Sequence, residues 1–170
     1  MDTTIAIAKE KNISLTIALF SLSFCIPLLF NGSQIITGII INTLLFIAAS
    51  QVSKRTLLLI AVIPSLGAIS HGVLFGGLTM YLVYFLPFIW MGNMMLMYIV
   101  GIKKQATFAF ILAALAKSSF LFLIAYVFVS LHIVPKIFLT AMGFLQLVTA
   151  LVGGVAAIGI SKYLLKPIYE

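Results

Sequence analysis

The chain has 170 residues, 64% of them hydrophobic and 8% charged, where a soluble domain carries about 25% charged residues. So few polar groups cannot cover a soluble surface, which excludes a soluble globular enzyme, and a charge-rich disordered chain is excluded as well. The net charge of +7 comes largely from basic residues paired between apolar runs, a pattern that reads as membrane orientation rather than nucleic-acid binding.

A membrane-spanning helix needs roughly 20 apolar residues. The pattern therefore predicts an all-α integral membrane protein, a single six-helix transmembrane domain over 1–170. The first predicted span covers 13–30. Lys9 and Lys11 precede it as in a signal peptide, but its apolar run exceeds the usual length and no Ala-x-Ala site follows, so it reads as a retained helix. The second span covers 34–50, after the turn residues Asn31-Gly32-Ser33. The third, 56–70, follows Lys54-Arg55; it is short and holds Pro64 and Gly67, which predicts a bend or an early stop. A Gly-rich stretch at 70–79 leads to the fourth span, 81–100. Lys103-Lys104 precede the fifth, 106–131, and Pro135-Lys136 precede the sixth, 137–164. A single cysteine, Cys25, allows no internal disulfide.

Counting basic residues by side sets the orientation. With the N-terminus inside, Lys9, Lys11, Lys54, Arg55, Lys103, Lys104, Lys162 and Lys166 face the cytoplasm, and only Lys136 faces out. That asymmetry predicts a multi-pass cell-membrane protein with both termini cytoplasmic.

Lys117 stands inside the fifth span, thirteen residues after Lys104. At 1.5 Å per residue it lies about 20 Å from either end of its helix, too far for its stem to snorkel. A charge at that depth costs ~3 kcal/mol on insertion scales. The acids are Asp2, Glu10 and Glu170, so no span supplies a carboxylate partner. Lys117 is either satisfied by backbone and neighbouring helices or awaits an anionic group such as a carboxylate or phosphate. Asn93 in the fourth span and Gln146 in the sixth reach a similar depth. Buried amides need partners in hydrocarbon, so the three residues are either interhelical glue or the polar contacts of a solute. Trp90, the only Trp, precedes Asn93 by three residues and shares its helix face. It is either core or lipid-facing packing, or an apolar wall with one N–H donor. Pro87 nearby invites a kink.

The 70–79 stretch reads as a mobile outer loop above a cavity, where His71 is either solvated or a ligand contact. His132 reads as an interface residue at the outer surface. Small residues four apart, Ser14 and Ala18 in the first span and Gly153, Ala157 and Ser161 in the sixth, allow close helix approach, either within the bundle or against another membrane subunit. There is no His-Glu-x-x-His motif and no P-loop. With no carboxylate in any span, ion-coupled transport also lacks its usual groups. These absences point away from an enzyme and imply no cofactor or metal. They fit a solute-binding subunit driven by a separate engine, and the other class that fits is a non-catalytic structural or assembly subunit.

The size, together with Leu86-Pro-Phe-Ile-Trp-Met-Gly-Asn93, Leu115-Ala-Lys-Ser-Ser-Phe-Leu-Phe-Leu-Ile-Ala-Tyr126 and Gln146-Leu-Val-Thr-Ala-Leu-Val-Gly-Gly154, resembles the substrate-binding membrane subunits of energy-coupling factor transporters. The second half of the chain carries the resemblance; the first half shares only topology. The resemblance implies a six-helix bundle with an outward cavity for a vitamin or similar micronutrient. It also implies a membrane coupling subunit and two cytoplasmic ATPase subunits as partners. On this chain the solute-binding positions would be His71, Trp90, Asn93, Lys117 and Gln146, and the docking positions Ser14 and Ala18. Two departures stand out. Ser14 replaces one of two alanines common in the first helix of such proteins. Phe144-Leu145 stand where relatives often have Trp-Pro before the Gln of the sixth helix.

Overall fold

The computed structural model describes the backbone of residues 2–30, 33–72, 76–102 and 107–163. Among them there is no strand. Seven α-helices follow in order: α1 (Asp2–Leu29), α2 (Gln34–Gln51), α3 (Lys54–His71), α4 (Thr79–Ile102), α5 (Thr107–Ser130), α6 (Ile137–Met142) and α7 (Phe144–Tyr163), with a 3-10 turn at Gly76–Leu78. Four segments are long and apolar enough to cross a membrane: Gln34–Gln51, Thr79–Ile102, Thr107–Ser130 and Ile137–Lys162; Ile13–Leu29 is a shorter apolar stretch. The chain is thus a helical protein of membrane character. Large apolar side chains such as Ile17, Leu59, Phe108, Leu123 and Val155 stand exposed on the outside of four helices, as they do where lipid replaces water.

Several expectations are altered in detail. α1 starts well before residue 13, so its helix extends through the charged N-terminal residues. α3 neither stops early nor breaks at Pro64. It runs to His71 and ends where Gly72 adopts a left-handed conformation (φ 68°), which glycine reaches without steric cost. The sixth predicted span is two helices. Gly143 (φ −98°, ψ −88°) caps α6, its N–H donating to Leu139 O, and its own carbonyl accepts the first bond of α7 from Leu147 N–H at 3.0 Å. Added bulk at Gly143 has no room, since a Cβ there meets Phe122 Cδ2 at 2.7 Å and Leu139 O at 2.8 Å. The paired lysines 103–104, Lys166, the 73–75 part of the Gly-rich stretch and the 31–32 turn lie outside the described residues.

Two apolar clusters build the core. One joins Leu45, Phe46, Ile60, Leu96, Met97 and Phe110 near the end where α2 meets α3. The other joins Leu82, Phe85, Leu121, Phe138 and Met142 toward the opposite end, with Phe85 stacked on Phe138 at 5.2 Å. Along α4, α5 and α7 the residues between the clusters are Asn93, Lys117 and Gln146–Thr149. The polar layer therefore falls between the two apolar ones, as the chain register requires.

Two helix pairs approach closely. α1 rests on α3 at Gly67, where a Cβ would stand 2.5 Å from Phe24 O. α2 rests on α7 at Gly153, where a Cβ would stand 2.9 Å from Asn42 Cβ and 3.0 Å from Ile39 O. The buried Gly153 and Ala157 thus serve packing within the bundle, whereas Ser14 and Ala18 are exposed on α1.

Candidate functional site

The close α2–α7 contact sets the site. Gly153 leaves space for α2 to bring Asn42 inward, and Asn42 is then 2% exposed. Its Nδ2 donates to Gly38 O at 2.9 Å and to Thr149 Oγ1 at 3.1 Å. Both amide protons are spent on acceptors, so Oδ1 must face the other way. It accepts from Lys117 Nζ at 2.7 Å. Thr149 in turn donates to Gln146 O at 3.3 Å, and Thr43 Oγ1 reaches Gly153 O at 3.2 Å. The partner that Lys117 lacks among carboxylates is thus an amide on α2. Asn42 had the same signal as Asn93, an amide inside an apolar run, but sequence reasoning did not single it out.

Lys117 is 3% exposed and lies on the α5 face beside Gly92, where a Cβ would stand 3.4 Å from Lys117 Cγ. Next along α4, Asn93 donates from Nδ2 to Ala61 O at 2.9 Å. Ala61 lies on α3, where Pro64 has no N–H to give Ile60 O, so that helix carries open carbonyl surface at this level. Asn93 Oδ1 has no hydrogen-bond partner among the described residues, and neither does Ser23 Oγ on α1. An orphaned buried acceptor costs about 1–3 kcal/mol unless a water or solute meets it.

These side chains surround a cavity of about 90 Å³, room for several waters or one small solute, since a water needs about 10–15 Å³. Asn42, Asn93, Lys117, Gln146 and Thr149 supply its polar lining, with Gln34, Thr37 and Ser65. Pro27, Pro64, Ile41, Leu82, Ile89 and Met142 supply apolar walls. Among the described residues, Lys117 is the one ionisable residue in the lining.

Of the five positions expected to meet a solute, Asn93, Lys117 and Gln146 come together in this lining; Trp90 and His71 do not. Trp90 stands behind the wall, its Nε1 donating to Ser65 Oγ at 2.6 Å. Ser65 passes the bond on to Val62 O at 2.7 Å, so Trp90 fixes the hydroxyl that lines the cavity. His71 Nδ1 bonds the Leu28 carbonyl and ties the end of α3 to the end of α1. Thr79 Oγ1 donates to Gly72 O at 2.9 Å and closes the same corner. His132 is exposed in the turn after α5 with φ 58°. Ile133 N–H reaches Phe128 O and His132 N–H reaches Val129 O, the paired bonds of a Schellman cap.

The described residues hold no cluster of His, Cys, Asp or Glu able to ligate a metal. Comparison with family models, curated proteins and solved structures gives no match, so the chemistry of the chain is read from its own residues.

Proposed function

We propose that the chain is the solute-binding membrane subunit of an energy-coupling-factor-type uptake transporter. Six helical spans run with both termini cytoplasmic, α6 and α7 forming the last span together. The observation that carries this reading is the cavity between the helices, with Asn42, Asn93, Lys117, Gln146 and Thr149 as polar lining and apolar walls around it. Pockets that bind small organic molecules have this mixture of apolar wall and few placed polar groups. The solute is a vitamin-like micronutrient captured from outside. Asn93 and Gln146 orient it by hydrogen bonds, Lys117 meets an acidic group, and Trp90 acts through Ser65 as a positioning residue. The exposed Ser14–Ala18 face of α1 receives the membrane coupling subunit, and two cytoplasmic ATPase subunits drive the cycle. No nucleic acid and no cofactor take part.

A second reading, a structural or assembly subunit, has its own support in the Lys117–Asn42–Thr149 bonds. They join α5, α2 and α7 as polar glue does.

Native mass spectrometry of protein purified gently from a native-like host separates the two. A stoichiometric small molecule that is lost on Lys117→Ala or Asn93→Ala supports the binding subunit. A persistent protein partner without ATPase subunits, and no small molecule, supports the assembly role.

A further inference from the structure

The break at Gly143 leaves α7 starting inside the apolar layer. Gly143 is the seventh residue from Ile137, about 10 Å along the span. The N–H groups of Phe144, Leu145 and Gln146 open α7 and have no acceptor within their own helix, since its first bond runs from Leu147 N–H to Gly143 O. Open backbone at such a depth is tolerated only where it is buried in protein or lines a cavity that supplies acceptors. Leu145 and Gln146 do line the cavity. The start of a helix of 20 residues also concentrates positive partial charge from its aligned peptides.

Two further observations at the same cavity point to a ligand. Lys117, 3% exposed, spends one N–H on Asn42 and makes no other hydrogen bond among the described residues. Asn93, 2% exposed, presents an Oδ1 with no donor. Among the described residues, no carboxylate lies in the lining to balance these donors.

We infer that the α7 N-terminus and Lys117 together bind the carboxylate of a small organic acid, whose own O–H or N–H meets Asn93 Oδ1. This rests on the solute-binding reading above and names the chemistry of its solute. A cationic solute is disfavoured, because Lys117 and a helix N-terminus both face it. One carboxylate oxygen takes Lys117 Nζ, and the other takes the Leu145 and Gln146 N–H groups. Half-helices that begin inside a membrane are suited to hold anionic groups in this way.

The test uses the full chain in lipid nanodiscs with benzoate and benzamide, probes of one shape that differ in charge. Trp90, the only Trp, reports occupancy by fluorescence, because its indole bonds the Ser65 hydroxyl at the cavity wall. Benzoate is expected to bind about tenfold more tightly than benzamide, and Lys117→Met to remove that preference. Leu145→Pro deletes an N–H that has no acceptor within α7, in the first helical turn where proline is tolerated. It should weaken benzoate several-fold, as the helix-terminus effect allows, while Leu145→Ala, which keeps the N–H, does not. If Leu145→Pro fails to fold by thermal unfolding, Lys117→Met decides alone, and a benzoate preference that survives it overturns the inference. The inference is overturned if benzamide binds as well as benzoate, if benzoate gives no response, or if the folded proline variant binds benzoate like the parent. In each of those cases a solute found by mass spectrometry leaves the binding-subunit reading standing. Absence of any co-purified solute counts against that reading instead.

Discussion

Removing the amide of Asn42 exposes what the polar layer contributes. Asn42→Ala deprives Lys117 Nζ of its acceptor and Thr149 Oγ1 of its donor. Two magnitudes compete for the Lys117 bond. Interhelical hydrogen bonds in membranes average about 0.6 kcal/mol, because the unfolded segments find other partners in lipid. Hydrogen bonds to a charged group reach about 1.5–3 kcal/mol. At 2.7 Å the bond is as short as charge-assisted ones are, so the lower end of the second scale governs. A double-mutant cycle of Asn42→Ala and Lys117→Met should therefore give a coupling energy of about 1.5 kcal/mol. Unfolding in mixed lipid–detergent micelles measures it. The double variant should be less destabilised than the two single changes summed, since an apolar pair leaves no stranded donor. A coupling below about 0.5 kcal/mol would refute the reasoning, because Lys117 would then be satisfied without Asn42.

The close helix contacts make opposite predictions for like substitutions. Gly67→Ala places a methyl 2.5 Å from Phe24 O, so α1 must shift and stability should fall by about 1–3 kcal/mol. Gly159→Ala meets nothing within 4 Å and should be neutral or raise stability by up to about 1 kcal/mol. Thermal unfolding of the two side by side checks the sign. Trp90→Phe loses the bond to Ser65 and should lower stability by about 1 kcal/mol; equal unfolding temperatures would show that Ser65 is held without it. For orientation, single cysteines at Ser53 and Lys136 in a Cys25→Ser background should label with an impermeant maleimide from opposite sides, Lys136 from outside. Labelling of both from one side would sink the six-span reading.

The helical, membrane-like character was legible because it follows from composition and run length, which neighbours cannot override. Asn93, Lys117 and Gln146 were legible as a set for a related reason. A polar group in a long apolar run stands out at any register, and equal depth on adjacent spans brings such groups together. Trp90 was not legible in the same way. Its helix face is shared with Asn93, yet the side chain ends against Ser65, and only the placement of α3 beside α4 decides that. His71 likewise turns to a backbone carbonyl of α1, a contact between residues far apart in sequence.

The interruption at Gly143 is the least visible feature and bears most on the site. The sequence Met142-Gly-Phe-Leu145 reads as one uninterrupted apolar run, since glycine is tolerated inside membrane helices. The reason for a break lies in Phe122 on α5 and the Leu139 carbonyl, which fill the space a Cβ would need at residue 143. Glycine, with no Cβ, permits that contact. A bulkier residue would have to push α6–α7 away from α5. One consequence is that the start of α7 meets α5 at Phe122, five residues along that helix from Lys117. Gly143→Ala should therefore disturb both together, and a binding loss that tracks with weakened α5–α7 packing would identify that contact as what holds the two donors in register.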